Sequence, residues 1–333
     1  MEMAIGQLPH GTLNRITDVP GVRVGHCTVD EGNCHTGVTV VMPPCRNPYT
    51  DRLTAASCVF NGYGKTMGLV QVDELGTLET PIALTGTLNV GRVHDAMVSW
   101  MVKRCGEDGI SLTSVNPVVC ECNDSRMSEI VRRPVGEREV FEAIASASED
   151  FEQGAVGAGR GTICYGLKGG IGSSSRLMRI DGQTYTMGVL VQSNYGASSD
   201  FRRVCLPADL AESDQGSIIL IVATDLPLSA RQLKRVLRRT SVGMARLGSY
   251  IGHGSGEIAV GFTTAPREDH GSFQTQTMLK EERMNLPFRA VGECAEEAIL
   301  QSMWNAAPDT ALDGSPVLSL RQFLQSEGND GAR

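Results

Sequence analysis

The segment 249–257 reads Ser-Tyr-Ile-Gly-His-Gly-Ser-Gly-Glu, so Gly252, Gly254 and Gly256 surround Ser255. Gly254 has no Cβ. Its carbonyl carbon is therefore open to approach, and its backbone can take strained dihedrals closed to other residues. The Ser255 hydroxyl follows that carbonyl directly and can attack it in an N→O acyl shift. Hydrolysis of the resulting ester would leave Ser255 with a free α-amine. Such an amine can act as base for its own hydroxyl, the arrangement of an N-terminal nucleophile. The same spacing also suits a flexible loop before a strand, and spacing alone does not separate the two. Gly248-Ser249 is a weaker rival bond, because Tyr250 follows its serine and it falls at the end of a helical pattern.

Other chemistries fail on spacing. Gly62-Tyr-Gly-Lys-Thr66 ends like a phosphate-binding loop, but Val59 stands where the first glycine is required. The glycines of residues 154–172 form no GxGxxG between a strand and a helix with a following ribose-binding acid. There is no HExxH and no GxSxG elbow. Cys120 and Cys122 have CxC spacing without a second ligand pair, so they read as buried structural thiols.

Strands and helices must position Ser255. Strands are expected over 22–29, 37–42, 53–60, 115–122, 176–181, 183–193, 217–224 and 257–263 from apolar and β-branched runs. Apolar spacings of three and four place helices over 89–103, 139–151, 229–247 and 290–306. Residues 197–215 read as a long surface connection. Strict βαβ alternation is absent, which favours sheet layers covered by helices over a doubly wound sheet.

The chain has 333 residues, 41% apolar and 20% charged, enough for one large domain with a substantial core. Its net charge of −8 and the lack of a basic face argue against a nucleic-acid partner. No apolar run is long enough for a membrane span. Ten cysteines without a secretion signal give the expectation of a cytoplasmic protein with reduced thiols.

Several blocks resemble the self-processing L-aminopeptidase/D-esterase and β-peptidyl aminopeptidase family along nearly the whole chain. They are Ile16-Thr-Asp-Val-Pro-Gly-Val-Arg-Val-Gly-His26, Thr36-Gly-Val-Thr-Val-Val-Met-Pro43 and Leu78-Glu-Thr-Pro-Ile-Ala-Leu-Thr85. Ile163-Cys-Tyr-Gly-Leu-Lys-Gly-Gly-Ile-Gly172, Val189-Leu-Val-Gln-Ser-Asn-Tyr-Gly196 and Ala223-Thr-Asp-Leu-Pro-Leu228 follow in the same order.

The resemblance implies an α+β fold, a four-layer αββα sandwich like that of N-terminal-nucleophile hydrolases with distinct connectivity. It implies self-cleavage of a single domain between Gly254 and Ser255 into residues 1–254 and 255–333, with Ser255 as nucleophile. Asn194 matches the amide that stabilises the oxyanion. Glu121 matches a carboxylate that anchors the substrate amine, with Asn123 beside it. Glu296 matches a catalytic glutamate, and Cys294 stands where many members carry a serine. Residues two apart on an α-helix point about 200° apart, so either the helix starts after Cys294 or only one of the pair faces the site. Lys65 replaces an acid seen in many relatives. The implied activity is release of N-terminal amino acids from peptides, amides or esters through an acyl-enzyme. It needs no metal or organic cofactor, and the implied assembly is a homotetramer. The alternatives are an amidase for a pantetheine-type amide, and a non-catalytic binding protein that keeps the fold.

Overall fold

The computed structural model describes residues 5–330. In chain order the strands used below are β1 (Arg23–Glu31), β2 (Cys34–Met42), β3 (Leu53–Gly62), β4 (Thr66–Met67), β5 (Thr77–Leu78), β6 (Ile82–Gly86), β7 (Val118–Cys122), β8 (Gly170–Ile180), β9 (Gln183–Asn194), β10 (Gln215–Thr224) and β11 (Gly254–Thr263). The helices are α1 (Leu69–Leu75), α2 (Val90–Glu107), α3 (Glu137–Ala145), α4 (Ala230–Leu237), α5 (Thr240–Arg246), α6 (Asn285–Trp304) and α7 (Leu320–Asp330).

Two sheets carry the fold. One has the order β1-β2-β6-β7-β4, the other β8-β9-β10-β11-β3-β5. The sequence explains why they stack. β10 is a continuous apolar run, and both of its faces are covered, as a strand interior to two layers requires. Ile219, Ile221 and Ala223 point into a core shared with Val41, Ile82, Leu84 and Val118 of the first sheet. Ile218, Leu220 and Val222 point the other way, into a core with Leu233, Val236 and Met244 of α4 and α5 and Ala295 and Ile299 of α6. On the far side of the first sheet, Val38, Val40 and Ala83 pack against Val93, Met97 and Val140 of α2 and α3. The result is the four-layer αββα sandwich. β10 and β11 run parallel, and α4 with α5 forms the crossover such a pair needs.

Boundaries differ from expectation in instructive places. The helix expected over 229–247 is two helices, broken at Arg238 and Arg239. Ser229 caps the first, its hydroxyl accepting from the Gln232 N–H. The helix expected over 139–151 stops at Ala145 because Ser148 pairs with Val24 at the edge of β1. β8 begins at Gly170, inside the glycine-dense stretch. Residues 197–215 are the irregular connection the sequence indicates, with two short 3-10 turns. The last long helix, α6, starts at Asn285, with Pro287 tolerated in its first turn.

Candidate active site

Strand ends assemble the site. β9 ends at Asn194, β10 and β11 begin at Gln215 and Gly254, β3 ends at Gly62 and β7 at Cys122. In register, Asn194 pairs with Ser217, Gly216 with Ser255, and Gly256 with both Ser217 and Gly62. Ser255 and Asn194 therefore sit at one end of the second sheet, on strands flanking β10.

Ser255 is fully buried. Its N–H donates to the Gly252 carbonyl at 3.2 Å. Its Oγ lies 2.8 Å from the same carbonyl and also contacts Oε1 of Glu257. The preceding turn is pinned. The Gly252 N–H donates to Asp214 at 3.0 Å, and the Gly252 carbonyl accepts from Asn61 Nδ2 at 2.6 Å. The strained backbone expected of Gly254 falls elsewhere: the left-handed residue of the turn is Ile251, at φ 61°. A Cβ on Gly254 would meet only the flexible Gln215 side chain at 3.3 Å, whereas one on Gly256 would strike the Gly64 backbone nitrogen at 2.5 Å. Gly256 is thus the glycine that close packing demands.

Glu257 is a site residue the sequence reading passed over. It follows Ser255 by two positions on a strand, so both side chains lie on one face. It is fully buried, and its Oε2 has no partner among the described residues. Burial pushes its carboxyl up to about 7; the Ser255 hydroxyl acts against this and the Asp214 carboxylate reinforces it.

The Asn194 amide is held at both ends. Its oxygen accepts from the Ile163 N–H at 2.9 Å, and Nδ2 donates to the Asn123 carbonyl at 2.8 Å. A primary amide has a second N–H, and Asn194 lines a cleft of about 320 Å³ together with Asn123, Gln215 and Gly216. The cleft reaches the residues paired with Gly254 and Ser255.

Glu121, at the end of β7, is fully buried. Oε1 accepts from the backbone N–H of Lys65 at 2.8 Å, and the Lys65 ammonium stands 3.8 Å away. Oε2 is buried without a partner among the described residues. Burial raises its pKa, opposed by the Lys65 hydrogen bond and charge. A Cβ built on Gly64 would stand 3.6 Å from both Glu121 Oε1 and the Gly256 Cα, so this carboxyl lies near Gly256, at the start of β11.

The structure does not bring Cys294 or Glu296 to Ser255. Both lie inside α6, which begins nine residues before Cys294, so the two point in different directions. The Cys294 thiol donates to the Met187 carbonyl at 3.4 Å. Met187 pairs with Thr224 at the opposite end of β10, roughly 25 Å along the strand from Gly216. Glu296 is held by Arg246 at 3.0 Å and by Arg203, under α5 and the 197–215 connection. The carboxylate that touches Ser255 is Glu257. Cys120 and Cys122 are buried, as expected. Among the described residues no cluster of His, Cys, Asp and Glu could hold a metal, and no helix is long and apolar enough to cross a membrane.

Peptidase family S58 matches residues 14–317. Beta-peptidyl aminopeptidase BapA of Sphingosinicella xenopeptidilytica is 35% identical over 93% of this chain and 85% of its own length. The crystal structure of a Pyrococcus horikoshii OT3 protein matches with a TM-score of 0.91 and 41% identity, over 98% of this chain and 96% of that one. The L-aminopeptidase D-Ala-esterase/amidase of Ochrobactrum anthropi, described as a prototype for the serine aminopeptidases and a new variant among the Ntn hydrolase fold, matches with a TM-score of 0.87 and 31% identity, over 97% of this chain and 96% of that one. The αββα sandwich is this variant of the N-terminal-nucleophile hydrolase fold.

Proposed function

Because the chain belongs to peptidase family S58, we propose that it is a self-processing serine aminopeptidase, cut between Gly254 and Ser255 and acting through the freed Ser255. The observation that carries this is the complete burial of the Ser255 hydroxyl beneath the turn that precedes it, next to Gly216, its β10 partner, which lines a cleft. A buried hydroxyl meets no substrate while the chain is intact. Cleavage frees Gly254 to move aside and opens the end of β11.

In the cut protein the Ser255 amine takes the hydroxyl proton as Oγ attacks the substrate carbonyl. The free N–H of Asn194 stabilises the oxyanion. The leaving amine takes up the proton, and water then releases the acyl group from Ser255. Oε2 of Glu121 meets the substrate ammonium around the strand end, and Asn123 lines the cleft. A buried carboxylate oxygen without a partner favours a substrate that brings a cation, because an unpaired buried charge is costly. This favours an aminopeptidase over an amidase for substrates lacking a free amine. Cys294 and Glu296, engaged elsewhere, have no step in this scheme.

The test is hydrolysis of aminoacyl nitroanilides, with and without an N-acetyl group, by wild type and Ser255→Ala. Turnover of the free-amine substrates far above that of their acetylated forms, lost in the variant, is expected. Equal turnover of acetylated substrates would reject the aminopeptidase assignment.

A further inference from the structure

An N-terminal nucleophile uses its own amine as base, and in the intact chain that amine does not exist. The Ser255 nitrogen is an amide that donates to the Gly252 carbonyl, so the first cut requires a different proton acceptor. Two groups contact the Ser255 hydroxyl: the Gly252 carbonyl at 2.8 Å and the Glu257 carboxylate. A carbonyl accepts a hydrogen bond but does not take the proton. We propose that Glu257 is the general base of self-cleavage, receiving the Ser255 hydroxyl proton in the intact chain. This rests on the self-processing reading above.

Glu257 takes the Oγ proton while Oγ bonds to the Gly254 carbonyl carbon. The resulting Glu257 carboxylic acid returns the proton to the Ser255 nitrogen as the Gly254–Ser255 C–N bond breaks. This leaves an ester between Gly254 and the Ser255 oxygen. Water cleaves the ester, giving the Gly254 carboxyl and restoring the Ser255 hydroxyl beside a free amine.

The surroundings distinguish a base from a structural carboxylate. Glu296, equally buried, is neutralised by two arginines. Glu257 has no cation in contact among the described residues. The charge that acts on it is the Asp214 carboxylate, which opposes ionisation and strengthens the proton affinity of Glu257. Glu121 does not substitute for it. Gly256, against Gly64 and beside Glu121, faces the opposite side of β11 from Ser255 and Glu257. Asp214 holds the Gly252 N–H through Oδ2 at 3.0 Å and is not among the groups that contact the Ser255 hydroxyl.

The experiment follows conversion of the full-length chain into residues 1–254 and 255–333 by denaturing mass spectrometry, in wild type, Ser255→Ala, Glu257→Gln and Glu257→Asp. Glutamine keeps the size and hydrogen bonding of the carboxylic acid and removes the base. Glu257→Gln should be cut at least about 100-fold more slowly, and Glu257→Asp should fall between it and wild type. Glu257→Gln cut at the wild-type rate, with wild type cut and Ser255→Ala intact, overturns this proposal and leaves the self-processing reading standing. An intact wild type, or a cut Ser255→Ala, overturns that reading instead. Circular dichroism checks folding. If Glu257→Gln does not fold, wild-type precursor made by cell-free synthesis at mildly acidic pH and shifted upward decides: acceleration supports the proposal, and a pH-independent rate overturns it.

Discussion

Replacing Glu121 by Gln tests what selects the substrate. The glutamine oxygen can still accept the Lys65 N–H, which Glu121 Oε1 accepts at 2.8 Å, so the local backbone keeps its anchor and only the charge is lost. Truncating one partner of a buried, hydrogen-bonded charge pair costs about 2–5 kcal/mol. Here the Lys65 ammonium already stands 3.8 Å from Oε1, and its side chain is 54% exposed. Water screens that contact, so it offsets only part of the Glu121 charge and places the loss in the lower part of the range, about 2–3 kcal/mol. At about 1.4 kcal/mol per factor of ten, this is roughly 30- to 150-fold. The assay is kcat/KM for one aminoacyl nitroanilide with a free amine and for its N-acetyl form. The free-amine value should fall by that factor and the acetyl value should not, so the selectivity ratio collapses. A ratio unchanged in Glu121→Gln would refute the assignment of Oε2 to the substrate amine.

Asn194→Ala should lower kcat by about 10²–10³ with a smaller effect on KM, because the amide acts on charge that develops in the transition state; a variant losing KM alone would make Asn194 a ground-state binder. The acid of Glu257 titrates near 7 instead of its usual carboxylate range because of burial, with Asp214 adding to the upward shift. The base is the carboxylate, so self-cleavage measured on fresh precursor should rise with pH through about 7 and fall roughly tenfold per unit below it. Cys294→Ala and Glu296→Gln should be cut and turn over substrate as wild type does in the same mass and nitroanilide assays, because their side chains are engaged with the Met187 carbonyl and with Arg203 and Arg246. Abolished turnover in either folded variant would mean that α6 reaches the site.

Sheet layers covered by helices were legible from continuous apolar runs such as 217–224, whereas the four-layer sandwich and the choice of a cleavage site over a plain loop at 252–256 came through the family resemblance. Asn194 and Glu121 were legible as strand-end residues through the resemblance. Glu257 was not singled out, although the signal existed: on a strand, positions 255 and 257 share a face. The same alternation does not apply on a helix, and α6 separates Cys294 from Glu296. Gly62 to Thr66, which fails as a phosphate-binding loop, joins β3 to β4. Its service to Glu121 through the Lys65 N–H depends on how two sheets stack, and no local pattern encodes that.

Everything in the scheme follows from scission at one bond, so intact-mass analysis of purified wild type beside Ser255→Ala is the most direct measurement. The account predicts two chains, residues 1–254 and 255–333, from wild type and one uncut chain from the variant. A single full-length mass from folded wild type, or two chains from Ser255→Ala, would contradict it.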